Sequence, residues 1–175
     1  MACDITLGRL EPCKNNVGGL RAAYFINYGD LIGVTYDVTD TDAIVSVTGD
    51  PTAYKYDLKG TNSLDQTITS SRENGTTFFD QSLKLQLKDL TPAMHKQVKL
   101  LSYGRPLVIV EDNNGNLFLC GLQHGMEVTG GTIVTGAAMG DLSGYTLEFK
   151  GMEKLPANFI VDDLDSAGFT VVVGV

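Results

Sequence analysis

Ser63-Leu64-Asp65-Gln66-Thr67-Ile68-Thr69-Ser70-Ser71-Arg72-Glu73-Asn74-Gly75-Thr76-Thr77-Phe78-Phe79-Asp80-Gln81-Ser82-Leu83-Lys84-Leu85-Gln86-Leu87-Lys88 reads as one long β-hairpin. Glu73-Asn74-Gly75 supplies the turn, because Asn and Gly accept the positive φ that tight hairpins demand. Side chains alternate between the faces of a strand, so every second residue shares a surface. Leu64 and Ile68 fall with Phe79, Leu83, Leu85 and Leu87 on an apolar face. Ser63, Asp65, Thr67, Thr69 and Ser71, then Asp80, Ser82, Lys84, Gln86 and Lys88, fall on a polar one. Each arm would span about 35 Å at roughly 3.3 Å per residue, against an average strand of about 5–6 residues. A polar face of that length is either solvent-exposed or the lining of a channel.

The rest of the chain agrees with a β protein. Twenty glycines separate short β-type runs. Strands are expected at 22–28, 31–38, 44–48 and 53–58, where Tyr54 and Tyr56 share a face. Leu107-Val108-Ile109-Val110 has the look of a strand buried on both faces. Asp112-Asn113-Asn114-Gly115 then turns the chain back into 117–122. Residues 130–144 are glycine-rich and read as a loop or a strand plus loop. Residues 145–150, 159–161 and 169–173 complete the set, the last two around the acidic turn Asp162-Asp163-Leu164-Asp165. One helix is signalled. Thr91 can cap it, Pro92 suits its first position, and Met94, Val98 and Leu101 form an apolar stripe. Gly104 is expected to end it in the left-handed conformation. The fold class expected is mainly β: an antiparallel sandwich or barrel with one short flanking α-helix, in a single domain over residues 1–175.

Charge and composition narrow the function. The 175 residues carry a net charge of −8, which repels phosphate and disfavours nucleic-acid binding. Acids stand without Lys or Arg in residues 30–50 and 106–149, while 51–105 is mildly basic. Such segregation is ordinary for solvated loops, and it also suits head-to-tail contacts between copies. No run approaches the roughly 20 apolar residues of a membrane helix, and the first residues lack the pattern of an export signal. Cys3, Cys13 and Cys120 give an odd count, which predicts reduced thiols.

Catalytic constellations are hard to find. Cys120 and His124 are close in sequence and would make a thiol–imidazole pair, but the alternation around Cys120 favours a buried structural thiol. His95 sits beside the helix stripe, as a solvated histidine would. Asp37, Asp40 and Asp42 supply oxygen ligands without the glycine and glutamate of a calcium loop, and Asp112–Asn116 reads first as a turn. No catalytic, cofactor-binding or metal-binding residues are therefore expected, and no cofactor.

The order long hairpin, short helix, buried strand, hairpin, then strands resembles the core of tailed-bacteriophage tail-tube proteins and related secretion-tube proteins. The segment Met139-Gly140-Asp141-Leu142-Ser143-Gly144-Tyr145-Thr146-Leu147-Glu148-Phe149-Lys150-Gly151 is similar to a pattern of phage virion proteins, in which a loop leads through Gly-Tyr into a strand. The opening, Cys3-Asp4-Ile5-Thr6 through Gly18-Gly19-Leu20 to Tyr24-Phe25-Ile26, is similar to structural proteins of gut-bacterial phages, including the crAss-like group. The resemblance implies a subunit that assembles into a ring or tube of the tail or neck. Its place would be the virion, assembled in the host cytoplasm rather than secreted. Its partners would be copies of itself, neighbouring tail or neck proteins, and double-stranded DNA passing through without specific binding, with no membrane. On that expectation Ser63, Asp65, Thr67, Thr69, Ser71, Glu73, Asn74, Gly75, Asp80 and Ser82 are the candidate pore-lining or inter-subunit residues. The competing reading is a soluble β-sandwich that binds a receptor or ligand, against which the absence of Trp counts for a sugar.

Overall fold

In a computed structural model describing residues 3–174, the chain is mainly β, with its strands in two stacked sheets. The strands are β1 (Leu20–Ile26), β2 (Gly33–Tyr36), β3 (Ala43–Thr48), β4 (Thr52–Asp57), β5 (Ser63–Ser71), β6 (Thr76–Lys88), β7 (Leu107–Asp112), β8 (Leu117–Cys120), β9 (Glu127–Val134), β10 (Gly144–Glu153), β11 (Asn158–Ile160) and β12 (Thr170–Val173). The helices are α1 (Pro92–Tyr103) and α2 (Leu164–Ala167). The larger sheet has eight strands in the order β12-β4-β1-β7-β8-β11-β3-β2, and the smaller has four in the order β5-β6-β10-β9. Both are open, so the architecture is a sandwich and not a barrel.

Alternation puts one side of each strand into a core. Leu83, Leu85 and Leu87 of β6 and Tyr145, Leu147 and Phe149 of β10 pack on Phe25, Val108, Val110 and Cys120 of the larger sheet. Phe25 and Phe149 lie with ring centroids 5.3 Å apart, and Tyr56 meets Phe25 edge-on at 4.9 Å. Each such side chain contributes roughly 1.5–3 kcal/mol by leaving water. The opposite face of the larger sheet builds a second core, with Tyr24, Ile26, Ile44, Ile109 and Leu119 packed near Leu164, Ala167 and Phe169. Strands β1 and β7 are thus covered on both sides, as the unbroken apolar run at 107–110 requires.

Three details differ from the sequence expectation. Two pairings are parallel, β11 with β3 and β12 with β4, so the larger sheet is mixed. Alternation reports burial, not which strand lies beside which. The acidic turn at 162–165 leads into the single-turn helix α2, because Leu164 and Ala167 at i, i+3 are both buried. Gly104 is extended, with φ −93° and ψ 179°, so α1 ends without a left-handed cap.

The start of α1 is as the sequence indicates. Thr91 Oγ1 accepts a hydrogen bond from Met94 N at 3.2 Å, and Pro92 opens the helix. Val98 is buried, with Met94 and Leu101 half-buried against the first core. Gly144 begins β10 where a Cβ would collide with the Leu87 carbonyl oxygen, so the Gly-Tyr pair marks a close strand approach.

Candidate functional site

The hairpin of β5 and β6 pairs in one continuous register, from Ser63 opposite Lys84 to Ser71 opposite Thr76. β10 supports β6 only from Lys88 to Phe79. Beyond that point the hairpin is a two-stranded ribbon, a form that is marginal in water by itself. Its residues show this. Ile68, opposite Phe79 in the last supported pair, is already 66% exposed, and beyond it hydroxyls decorate both surfaces, with Ser70 Oγ and Thr77 Oγ1 in contact at 2.9 Å. β5 is also the edge of its sheet, and among the described residues its outer edge has no neighbouring strand. The turn spans Arg72 to Gly75, with Gly75 at φ +63°. Asn74 does not need positive φ; its N–H bonds to Ser71 Oγ at 3.3 Å.

The structure brings the expected face together. Asp65 lies opposite Ser82 and Thr67 opposite Asp80, with Ser63, Thr69 and Ser71 on the same surface. Glu73, Asn74 and Gly75 lie at the exposed tip. The polar face is not uninterrupted, however. Register puts half-buried Phe78 opposite Thr69, and Met152, 59% exposed, opposite Asp80. Counting from Asp80 overlooked Phe78 because Phe78-Phe79 puts one ring on each side of the strand. Asp80 Oδ1 is shielded from solvent and has no hydrogen-bond partner.

Across β6, β10 and β9 this surface interleaves signs. Lys84 is opposite Glu148, with their charged atoms 4.0 Å apart, and Lys150 is opposite Glu127. Lys84 therefore has an acidic neighbour within its own chain. Such an exposed pair contributes about 0–1 kcal/mol.

The inner face hides a second polar group that the sequence reading missed. Gln66 and Gln81 fall among the inward-facing leucines, and each binds a loop. Gln81 Oε1 accepts from Gly121 N at 2.9 Å, and Gln66 Oε1 accepts from Ala157 N at 2.8 Å. Glu153, 5% exposed, accepts from Gln123 N at 3.2 Å and His124 N at 2.9 Å, and its Oε2 lies 3.3 Å from His124 Nδ1. The adjoining cavity of about 10 Å³ has room for roughly one water. The signal was present as amides in an otherwise leucine-rich face.

The cysteine near this cluster is not a poised nucleophile. Cys120 is fully buried, and burial, with the nearby Glu153 charge, pushes its thiol up to about 12. A nucleophilic thiol needs the opposite shift. The acidic loops bind their own backbone. Asp37 Oδ1 accepts from Thr39 N at 2.7 Å and Asp40 N at 3.1 Å, which holds its carboxyl below the ordinary range. Asp112 is pushed up by partial burial, but hydrogen bonds from Asn116 and Asn114 outweigh that and leave it lowered. Among the described residues, no group of three His, Cys, Asp or Glu side chains is placed to hold a metal, and no helix is long and apolar enough to cross a membrane.

No protein-family model matches the chain, and comparison with curated proteins and with solved structures gives no match.

Proposed function

We propose that the chain is a non-catalytic structural subunit that associates with copies of itself into a ring or tube of a phage tail or neck, enclosing a channel for DNA. The observation that carries this reading is the β5–β6 ribbon. It runs past its supporting strand from Thr69 to Phe78, leaves Ile68 exposed in the last supported pair, and presents a strand edge unpaired among the described residues. Free strand edges invite pairing with another chain, and monomeric proteins usually blunt them. A neighbouring copy that extends the sheet at β5 would support the ribbon.

The charge pattern fits passage of DNA without retention. The net charge is −8, and the outer surface of the smaller sheet sets Asp65, Asp80, Glu127 and Glu148 against Lys84, Lys88 and Lys150. A basic wall would hold phosphate through counterion release, whereas a mixed or acidic wall does not. Repulsion acts within about 10 Å at 0.1 M salt. Negative-stain microscopy of the purified protein tests the reading. Rings or tubes are expected; dispersed small particles at high concentration would instead favour a soluble binding module.

A further inference from the structure

The segment before β1 is exposed from residue 3 to residue 19 and belongs to no strand or helix. Ile5, Leu7 and Leu10 are 94%, 87% and 92% exposed. Large apolar side chains held this far out of a body are costly in water and mark an interaction element.

The root of this arm is fixed. Val17 N donates to Asn114 Oδ1 at 3.0 Å, and Asn114 Nδ2 donates to Val17 O at 2.8 Å. Asn113 Nδ2 donates to Gly18 O at 2.7 Å. The β7–β8 turn thus grips the arm at its base and leaves the rest outside.

On the body, an open cleft of about 410 Å³ adjoins β12, an edge strand of the larger sheet. Leu117, Leu164 and Val171 give it apolar surface, and Asp163 and Asp165 give it negative charge, whereas Glu111 is engaged by Arg21 at 3.6 Å and by the Tyr24 hydroxyl at 3.1 Å. Lys55 also lines it, but its Nζ is 3.3 Å from Asp57 Oδ1. The arm carries the matching pattern. In extended form Ile5, Leu7 and Arg9 fall on one side, two apolar groups followed by a cation whose guanidinium lies 3.9 Å from Glu11, an exposed pair that contributes about 0–1 kcal/mol and can be exchanged.

We propose that residues 4–10 form an exchanged strand that pairs with β12 of a second copy of this chain. Ile5 and Leu7 then cover the apolar part of the partner's cleft, and Arg9 meets its carboxylates. The pinned root and the cleft share the β7–β8 turn, since Gly115 rims the cleft. The arm does not occupy the chain's own cleft although its root lies beside it, since residues 3–19 are all exposed and none of them lines the cleft. Exchange of an identical element between chains is a low-cost route to assembly.

This inference rests on the reading that the chain associates with itself, and the test separates the two. Cys3→Ser and Cys13→Ser remove the two exposed cysteines. In that background, Arg9→Cys chains are mixed with Asp163→Cys chains carrying a different tag, and oxidised. All of these positions are exposed, and an unchanged circular dichroism spectrum verifies folding. A disulfide joining the two tagged chains is the expected result, and it can form only between copies. The chain carrying both Arg9→Cys and Asp163→Cys provides the counter-test. Closure within one chain, detected by mass spectrometry, overturns exchange. Assemblies without either cross-link overturn this inference alone, and dispersed monomers overturn the self-association reading with it.

Discussion

Gln81 Oε1 accepts a hydrogen bond from Gly121 N at 2.9 Å, and this buried contact ties the smaller sheet to the loop after β8. Gln81 is 1% exposed and Gly121 is buried, so neither group faces bulk water. Gln81→Leu removes the acceptor and strands the Gly121 N–H. The expected loss is about 1–3 kcal/mol, the cost of an unsatisfied buried donor. Urea denaturation followed by circular dichroism measures it. An unchanged midpoint would show that the amide is dispensable.

Cys120 should resist alkylation. Its thiol is fully buried and raised to about 12, so almost no thiolate exists at pH 8. Iodoacetamide followed by peptide mass spectrometry should label exposed Cys13 rapidly and Cys120 only after unfolding. Rapid labelling of native Cys120 would revive the thiol–imidazole reading with His124.

Acid should weaken the fold through Asp37, Asp112 and Asp141, all held below the ordinary carboxylate range by hydrogen bonds. Asp141 Oδ2 accepts from Ala138 N at 2.8 Å and from Ala137 N at 3.0 Å. For a carboxyl with a lowered folded pKa, the stabilisation is full above the unfolded value of about 3.9. It is lost as pH falls through the lower folded value. The urea midpoint should therefore be insensitive to these groups from pH 5 to 7 and should fall below about pH 4. Asp112→Asn should flatten part of that fall; an identical acid slope in the variant would count against the assignment.

The division between what the sequence disclosed and what it hid follows from which interactions are local. The hairpin and its turn were legible because Asn74-Gly75 and alternation are nearest-neighbour signals. Thr91 and Pro92 announced α1 for the same reason. The parallel pairing of β11 with β3 depends on residues more than a hundred positions apart, and alternation carries no information on it. The roles of Gln66 and Gln81 depend on loops at 157 and 121 that only the folded chain brings near. Phe78 was left off either face for a simpler reason, since consecutive aromatics put one ring on each side of the strand.

The tip of the hairpin should be needed for association but not for folding. Gly75 adopts φ +63°, and the turn around it is exposed. Replacing Glu73-Asn74-Gly75 with a proline-containing turn should leave the thermal transition within a few degrees and abolish assembly. Sedimentation velocity of the variant beside the parent chain measures the effect. Normal assemblies from a folded variant would remove the hairpin from the interface.

Duplex DNA should not bind usefully. An anisotropy titration at about 50 mM salt favours counterion-release binding, so it is a demanding test. No saturation at micromolar protein is expected. Micromolar affinity that falls steeply with added salt would reveal a basic contact surface and contradict the proposed wall.

Self-association is the central claim, and native mass spectrometry of the purified protein tests it most directly. A closed oligomer is expected, with a mass that is one integer multiple of the 18.8 kDa chain and persists on dilution. A single 18.8 kDa species across the whole concentration range would contradict the account.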